Sequence, residues 1–238
     1  MKLDETYFLI IILLVLNVTA QEKYTHNGIY ITSGYEFGFL DTKIEDTNLT
    51  FQNSNIKKNY NHSFVLNGIY RTAFRTNIKL GYSVSINTLM IEGLNKNRAF
   101  LIDHNYINHT ATIGAGYSFN LKKNLDLSLG MGSGLTFTKK VNIYAKKGEI
   151  TDQITATNSS LKSGNVYLIP EISITLYLRN ENTLTFGSRY FYSLNDQFLE
   201  GIIQNSSSND VSNKTSFTTL NNQLGIYLCY GFNLKKLF

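Results

Sequence analysis

The chain has 238 residues and a formal net charge of +5, and no run of like charges marks a nucleic-acid-binding tail. Its single cysteine excludes an internal disulfide framework. One proline, no tryptophan, and 16 tyrosines with 15 phenylalanines favour a chain built mostly from β-strands.

The N-terminus is predicted to be a signal peptide. Lys2 precedes an unbroken apolar run at residues 8–16, and Val18 and Ala20 are the small residues that signal peptidase requires. We therefore expect a signal peptide over residues 1–20 and a single exported domain over residues 21–238. The run is shorter than the roughly 20 apolar residues that a membrane-spanning helix needs, which disfavours the alternative of an uncleaved anchor.

Eight later segments alternate between apolar residues and polar or small ones, as a strand with two unlike faces does. The predicted strands cover about residues 28–40, 63–72, 77–90, 106–119, 125–137, 166–178, 184–194 and 220–238. Three connections are short, near residues 73–76, 120–124 and 179–183. The other four are long and polar, over residues 41–62, 91–105, 138–165 and 195–216.

The last predicted strand has an apolar, aromatic-rich row that ends on Phe238, and it resembles the closing strand of bacterial outer-membrane barrels. Short turns that alternate with long loops around an even number of strands are the outer-membrane pattern. The whole chain after Ala20 resembles the small eight-stranded outer-membrane proteins of the OmpX-like and OmpA-transmembrane-domain type. The resemblance implies an all-β fold, an eight-stranded antiparallel up-and-down transmembrane β-barrel, monomeric, in the outer membrane of a Gram-negative bacterium.

The alternative to a membrane barrel is a soluble secreted barrel or sandwich, which also alternates. A soluble barrel exposes Lys and Glu along its strands and keeps its apolar face inside. Here one face of the strands is almost free of charge, and the other has Gly, Ser, Thr and Asn with a few charges. That difference between the faces favours the membrane barrel.

Two details of the strands are predicted as well. Pro170 has no N–H to donate within a closed ladder, so we expect a β-bulge there. Beyond Phe137 the alternation continues through Val141, Ile143 and Ala145, and Ile150, Ile154 and Ala156 could return it. The third long loop is therefore predicted to rise as a hairpin.

Six charged residues on the predicted strands share the inward parity, and they are Glu36, Arg71, Lys79, Asp126, Glu171 and Arg189. Because unpaired charges in a narrow lumen are costly, we expect them to form a structural charge network. A turn centred near Glu181 would place Glu171 and Arg189 diagonally opposite, so we expect these two to be in contact and to help close the lumen. The alternative role of such a network is a gate on a narrow ion path.

Inward glycines lie on two neighbouring strands. A hairpin that turns near Lys123 would pair Gly116 with Gly130 and Gly114 with Gly132, which makes a groove in the lumen wall. Inward tyrosines across the lumen, Tyr30 or Tyr227, could fill this groove.

No catalytic or metal-binding set is predicted. The histidines are His26, His62, His104 and His109, and adjacent residues such as His62 and Ser63 face opposite ways in a strand. No set with ligand spacing shares one inward face, so neither a metal nor a cofactor is expected.

We expect a non-enzymatic barrel with a structural or interaction role, in envelope integrity, adhesion or lipopolysaccharide contact. The expected partners are outer-membrane lipid, lipopolysaccharide and surface proteins, and not nucleic acid. The candidate contacts for lipopolysaccharide phosphates are the loop lysines Lys139, Lys140, Lys146 and Lys147. The alternatives are a narrow gated channel and a lipid-modifying outer-membrane enzyme, for example one that acts on lipid A acyl chains.

Overall fold

The computed structural model describes residues 26–43, 52–95, 98–147, 154–161, 164–179, 181–194, 199–205 and 214–234. Side chains are described within 26–41, 59–88, 106–138, 164–179, 181–194 and 222–234. The predicted signal peptide and Phe238 lie outside these residues. Within the described ranges no helix is long and apolar enough to cross a membrane.

Ten antiparallel strands make up a single sheet within the described residues. They are β1 (Gly28–Lys43), β2 (Gln52–Arg71), β3 (Thr76–Asn95), β4 (Arg98–Lys122), β5 (Leu125–Lys147), β6 (Ile154–Leu161), β7 (Gly164–Tyr177), β8 (Thr183–Ser193), β9 (Leu199–Asn205) and β10 (Lys214–Asn233). Eight of them follow the order β1-β2-β3-β4-β5-β7-β8-β10, and β10 pairs back with β1 to close a barrel. The predicted eight-stranded barrel is therefore confirmed. In addition, β9 pairs with residues 214–219 of β10, and β6 pairs with β9.

The two faces of the barrel are the reverse of those in a soluble protein. Phe64 leaves 59% of its surface exposed on the outside, whereas its neighbour Ser63 is 3% exposed on the inside. Large apolar side chains cover the outer wall on every barrel strand, among them Ile31, Leu66, Leu80, Ile113, Leu135, Ile172, Phe186 and Leu228. Most side chains in the interior are polar or charged, and aromatic and aliphatic residues occupy the rest. Because a closed ladder with an apolar outer belt suits lipid and not water, the soluble alternative is excluded.

Two of the short turns share one geometry. In the β2–β3 turn the Thr72 amide donates to the Thr76 carbonyl at 2.9 Å, and in the β7–β8 turn the Leu178 amide donates to the Asn182 carbonyl at 2.8 Å. In each turn the residue just before the accepting one has a positive φ. The value is 67° at Arg75 and 62° at Glu181. Both connections are three-residue hairpin loops that close with a left-handed residue. We call this end of the barrel the turn end, and the opposite end the loop end.

The predicted long loops are largely strand, which corrects the sequence prediction. β2 begins at Gln52, and the β3–β4 ladder continues up to the pair Asn95 and Arg98. β5 extends to Lys147, as the predicted rise of the third loop requires. The returning segment β6 is also a strand, so both arms of the third loop are extended as predicted. β6 pairs with β9 and not with β5, so the two arms do not pair with each other as a hairpin.

Two predictions for β7 are also corrected. β7 and β8 keep the same register before and after Pro170, so neither strand has an extra residue there and the predicted bulge is absent. The proline only interrupts the pairing at Ile169 and Pro170. Because the β7–β8 turn is centred on residue 180, Glu171 lies directly opposite Arg189 and not diagonally.

Candidate functional site

The lumen brings together the six charged residues that the parity of the strands directs inward. They form three acid–base pairs, which are Glu36 with Arg189, Lys79 with Glu171, and Arg71 with Asp126. Each pair joins two strands that are not neighbours in the sheet, so the pairs cross the lumen. The interior of the barrel is the candidate functional site for this reason.

The pair between Glu36 and Arg189 is deeply buried. The Nε–H of Arg189 donates to Oε2 of Glu36, and their side chains are 2% and 1% exposed. Gln223 donates to the other carboxylate oxygen at 3.4 Å. Gly225 makes room for this carboxylate, since a Cβ at that position would lie 2.7 Å from Glu36 Cδ. A dry ion pair of this kind is costly to break, because either partner alone would be a buried uncompensated charge.

The central pair involves a tyrosine as well. Lys79 donates to Oε2 of Glu171, and the hydroxyl of Tyr227 donates to Oε1 at 2.7 Å. The Tyr227 ring packs where Gly187 has no side chain, since a Cβ there would lie 2.5 Å from the ring. The side chains of Lys79 and Glu171 are 17% and 20% exposed, so this pair is less dry than the pair of Arg189.

The third pair closes the turn end of the lumen. The guanidinium of Arg71 lies 5.2 Å from the ring centres of both Tyr30 and Tyr177. Its Nη1 is 3.8 Å from Oδ2 of Asp126, and its Nη2 donates to Thr175 at 3.3 Å. The hydroxyl of Tyr177 donates to the same Asp126 oxygen at 2.7 Å. Two aromatic rings and an ion pair therefore fill this cross-section.

The segment at His26, which we call the strap, crosses the opening of the barrel at the turn end. His26 lies two residues before β1, and its ring stacks on Tyr177 of β7 with 3.6 Å between the ring centres and 7° between the planes. Its Nε2 is 2.9 Å from the carbonyl oxygen of Lys123 in the β4–β5 turn. This turn lies on the far side of the barrel from β1, so the chain crosses the opening before it enters the wall. No periodicity marks His26, and sequence reasoning missed this contact.

Aromatic and aliphatic side chains close the loop end. Tyr167, Ile169 and Phe191 form a buried cluster, and the rings of Tyr167 and Phe191 meet edge to face at 5.8 Å. Tyr106 and Leu40 are buried at the same end of the interior. The guanidinium of Arg189 lies 4.8 Å from the Phe191 ring centre, which links this cluster to the central charges.

Between the two ends lies a cavity of about 80 Å³. One wall is the predicted glycine groove, in which Gly116 pairs with Gly130 and Gly114 with Gly132, as the sequence predicts. Tyr227 lines the cavity but packs against Gly187 of β8, so it does not fill this groove. Buried oxygens of Asn67, Asn77 and Thr112, which have no protein hydrogen-bond partner, also line the cavity. Its volume and these unpartnered oxygens suit several water molecules, each of which needs about 10–15 Å³.

The histidines on the outer wall are not arranged for catalysis. His62 and Ser63 lie on opposite faces of β2, as predicted, and the ring of His62 bonds to the Tyr35 hydroxyl outside. His109 likewise faces outward, with its Nδ1 2.7 Å from the Tyr82 hydroxyl. The side chain of His104 lies outside the described set. Within that set no three His, Cys, Asp or Glu side chains are grouped for a metal.

The four candidate lysines lie along the upper part of β5. Lys139 is opposite Ile107 of β4, and Lys140 follows it. Lys146 and Lys147 are opposite Leu101 and Phe100, near the far end of the ladder. The structure therefore separates the four into two groups along one strand.

Comparison with known proteins supports the architecture. No family model and no curated protein matches the chain. Among solved structures, the outer membrane protein OprG from Pseudomonas aeruginosa is similar at 13% identity and a TM-score of 0.53, over 87% of this chain and 97% of that one. The outer membrane protease OmpT from Escherichia coli matches at 10% identity and a TM-score of 0.45, over 90% and 98% of the two chains.

The attachment invasion locus protein Ail of Yersinia pestis matches at 10% identity and a TM-score of 0.36, over 87% of this chain and 99% of that one. At these identities the likeness concerns the fold alone, and the OprG match is the one that supports it. Together with the apolar outer belt and the closed ladder, it shows the fold of a small eight-stranded β-barrel of the outer-membrane type.

Proposed function

We propose that this chain is a non-enzymatic outer-membrane barrel with a closed lumen, whose extended strands form a surface for contact with envelope lipid or with surface partners. The observation that supports this most directly is the height of the wall formed by β2 to β5. β7 and β8 have 14 and 11 residues, whereas β3, β4 and β5 have 20, 25 and 23.

The tall strands are longer than a membrane requires. A tilted transmembrane strand needs about 9–11 residues. The β3–β4 ladder has 20 residue pairs, from Thr76 and Tyr117 to Asn95 and Arg98. At about 3.3 Å per residue and a tilt of about 40°, the surplus pairs project about 25 Å beyond the lipid. A sheet of that height is suited to contact and is not needed for anchoring.

The position of Lys139 favours a lipid contact at the base of this wall. It lies two residues beyond Phe137, which is 53% exposed and belongs to the apolar belt. A cation at the upper border of the belt is placed for the phosphates of lipopolysaccharide. Lys146 and Lys147 lie about 25 Å further along the strand, beyond the depth of those phosphates.

The experiment is to shorten the wall while the barrel is kept. In the variant, residues 89–104 are replaced by an Asn-Gly turn between Thr88 and Asn105, which are register partners. We expect it to fold and remain heat-modifiable on gels, because the barrel ladder is intact. It should fail to restore surface adhesion or envelope integrity to a strain that lacks the gene. Full restoration by the shortened variant would contradict the proposal.

The cavity, with its unpartnered buried oxygens, is the observation that favours the alternative of a narrow channel. Its two closed ends argue against conduction in the resting protein, since a small eight-stranded barrel is just filled by its side chains. Planar-bilayer recording separates the two functions. The proposal expects no discrete conductance steps from the folded protein, and stable steps would favour the channel.

A further inference from the structure

Two histidines on the lipid-facing wall share one unusual arrangement. The ring of His109 on β4 has its Nδ1 2.7 Å from the hydroxyl of Tyr82 on β3. The ring of His62 on β2 has its Nδ1 bonded to the hydroxyl of Tyr35 on β1. In both cases a tyrosine on the preceding strand engages the same ring nitrogen, so one ring nitrogen of each histidine remains for another partner.

Both histidines lie near the outer border of the apolar belt. His109 is ten residues along β4 from Phe119, which lies near the turn end. Ten residues at about 3.3 Å each, tilted by about 40°, rise about 25 Å, which equals the height of a typical apolar band. His62 is eight residues from Tyr70 on β2, which corresponds to about 20 Å. His109 is therefore at the depth where acyl chains give way to headgroups, and His62 lies about 5 Å below it.

The chemistry of the pairs fixes the role of the free nitrogen. We take the tyrosine O–H as the donor to Nδ1, since a phenol is a better hydrogen-bond donor than acceptor, and this choice places the ring proton on Nε2. An imidazole N–H on a lipid-facing wall costs free energy unless it finds an acceptor. At headgroup depth the strongest acceptors are phosphate oxygens, since charged acceptors make the stronger hydrogen bonds.

We propose that His62 and His109, each oriented by its tyrosine, donate hydrogen bonds to the phosphorylated headgroups of lipopolysaccharide in the outer leaflet. This inference rests on the proposed location of the lipid contact and adds named residues to it. His109 should be the stronger site. Its register partner is Phe137, and Lys139 follows two residues later, opposite Ile107, so the backbone brings a cationic residue beside it.

His62 lies in a different setting. Its ring is 5.3 Å from the ring of Phe37 and 5.2 Å from that of Tyr60, so aromatic side chains surround it on the outer face. These rings offer apolar and stacking surface and no charge. We therefore expect His62 to contribute less to phosphate recognition than His109.

The test measures binding of purified lipopolysaccharide to the folded protein in phosphatidylcholine nanodiscs. His109→Phe keeps a planar ring and removes the N–H, and it should weaken binding about tenfold, as loss of one hydrogen bond to a charged group does. His62→Phe should weaken it less. Tyr117→Phe, at the turn end of the same strand, is the matched control and should bind as the wild type does. Dephosphorylated lipopolysaccharide should bind all four proteins equally weakly.

Two outcomes separate the claims. If wild type and His109→Phe bind intact lipopolysaccharide equally, the histidine inference is wrong, and the proposed function still stands on the shortened-wall experiment. If the wild type binds intact and dephosphorylated lipopolysaccharide alike, phosphate recognition is overturned for both histidines. Heat-modifiability of each variant shows that a loss of binding is not a loss of folding. A further variant, Tyr82→Phe, should give part of the His109→Phe effect if the tyrosine acts by positioning the ring.

Discussion

Arg189 lies directly opposite Glu171 in the β7–β8 ladder, yet it donates its Nε–H to Glu36 on β1. Glu171 is instead bonded by Lys79 from β3. Because each ion pair joins strands that are not neighbours, the charges tie the wall together across the lumen. The pairs therefore stabilise the closed shape of the barrel in addition to neutralising the interior.

The pair of Glu36 and Arg189 should be the most sensitive to mutation. Arg189→Ala leaves Glu36 buried without its cation and should lower the free energy of unfolding by about 3–5 kcal/mol. Lys79→Ala should cost less, about 1–2 kcal/mol, because the Glu171 side chain is 20% exposed and can be solvated. Urea titration of the refolded barrel in lipid vesicles measures both. If the two variants lost the same free energy of unfolding, the claim that the Glu36–Arg189 pair is less exposed to water than the Lys79–Glu171 pair would be contradicted.

Removing both charges tests whether the cost comes from the orphaned carboxylate. The double variant with Glu36→Leu and Arg189→Met replaces the buried pair by apolar side chains of similar volume. Such replacements are often neutral or stabilising. We expect its stability to return to within about 1 kcal/mol of the wild type. If the double variant were as unstable as Arg189→Ala, the ion pair would add to the stability of the barrel beyond the neutralisation of each charge by the other.

Gly225 should be intolerant of a methyl group. A Cβ there would lie 2.7 Å from Glu36 Cδ, and the carboxylate cannot move away without losing Arg189. Gly225→Ala should therefore cost about 1–3 kcal/mol, as overpacking does. Gly68→Ala is the control, because a Cβ at Gly68 would have nothing within 4 Å, and it should change stability by less than about 0.5 kcal/mol. The urea midpoints compare the two, and similar losses would contradict the packing argument.

The strap formed by His26 should restrict access to the lumen from the turn end. His26→Ala removes the stack on Tyr177 and the hydrogen bond to the Lys123 carbonyl. The lumen-facing thiol of Cys229 is 2% exposed and reports this access. The variant should raise the rate of Cys229 modification by a small thiol reagent about tenfold, which is the scale of losing one such contact. Leu80→Ala, on the outer wall, should leave that rate unchanged.

The alternation of side chains explains why so much of the barrel could be predicted from sequence. In a strand, successive side chains point to opposite faces, so Glu36 lies inside and Phe37 outside whatever the exact ends of β1. The short turn at Lys123 sets the register in which Gly116 pairs with Gly130. The partner of Arg189 could not be predicted, because it depends on how the closed barrel brings β1 and β8 near each other. The β7–β8 turn is centred one residue before the predicted position. Glu171 therefore pairs with Arg189 and not with Phe191, which is two residues further along β8.

The strand extensions were missed for a different reason. Beyond Thr88 and Asn105 the ladder continues where polar residues interrupt the apolar row, so the alternation that reveals a strand in lipid fades. β6 and β9 pair with each other beside β10, and that contact has no signature in either segment alone. Pro170 interrupts pairing with β8 and needs no extra residue, so the sequence rule that predicts a bulge was too strict.

The modification of Cys229 in the folded wild-type protein tests the closed lumen most directly. Cys229 is the only cysteine in the chain, and it lines the central cavity between the two closed ends. In lipid vesicles, a charged methanethiosulfonate reagent should leave the thiol unmodified over the time in which the urea-unfolded protein reacts completely. Modification of the folded protein at the rate of the unfolded one would contradict a closed lumen.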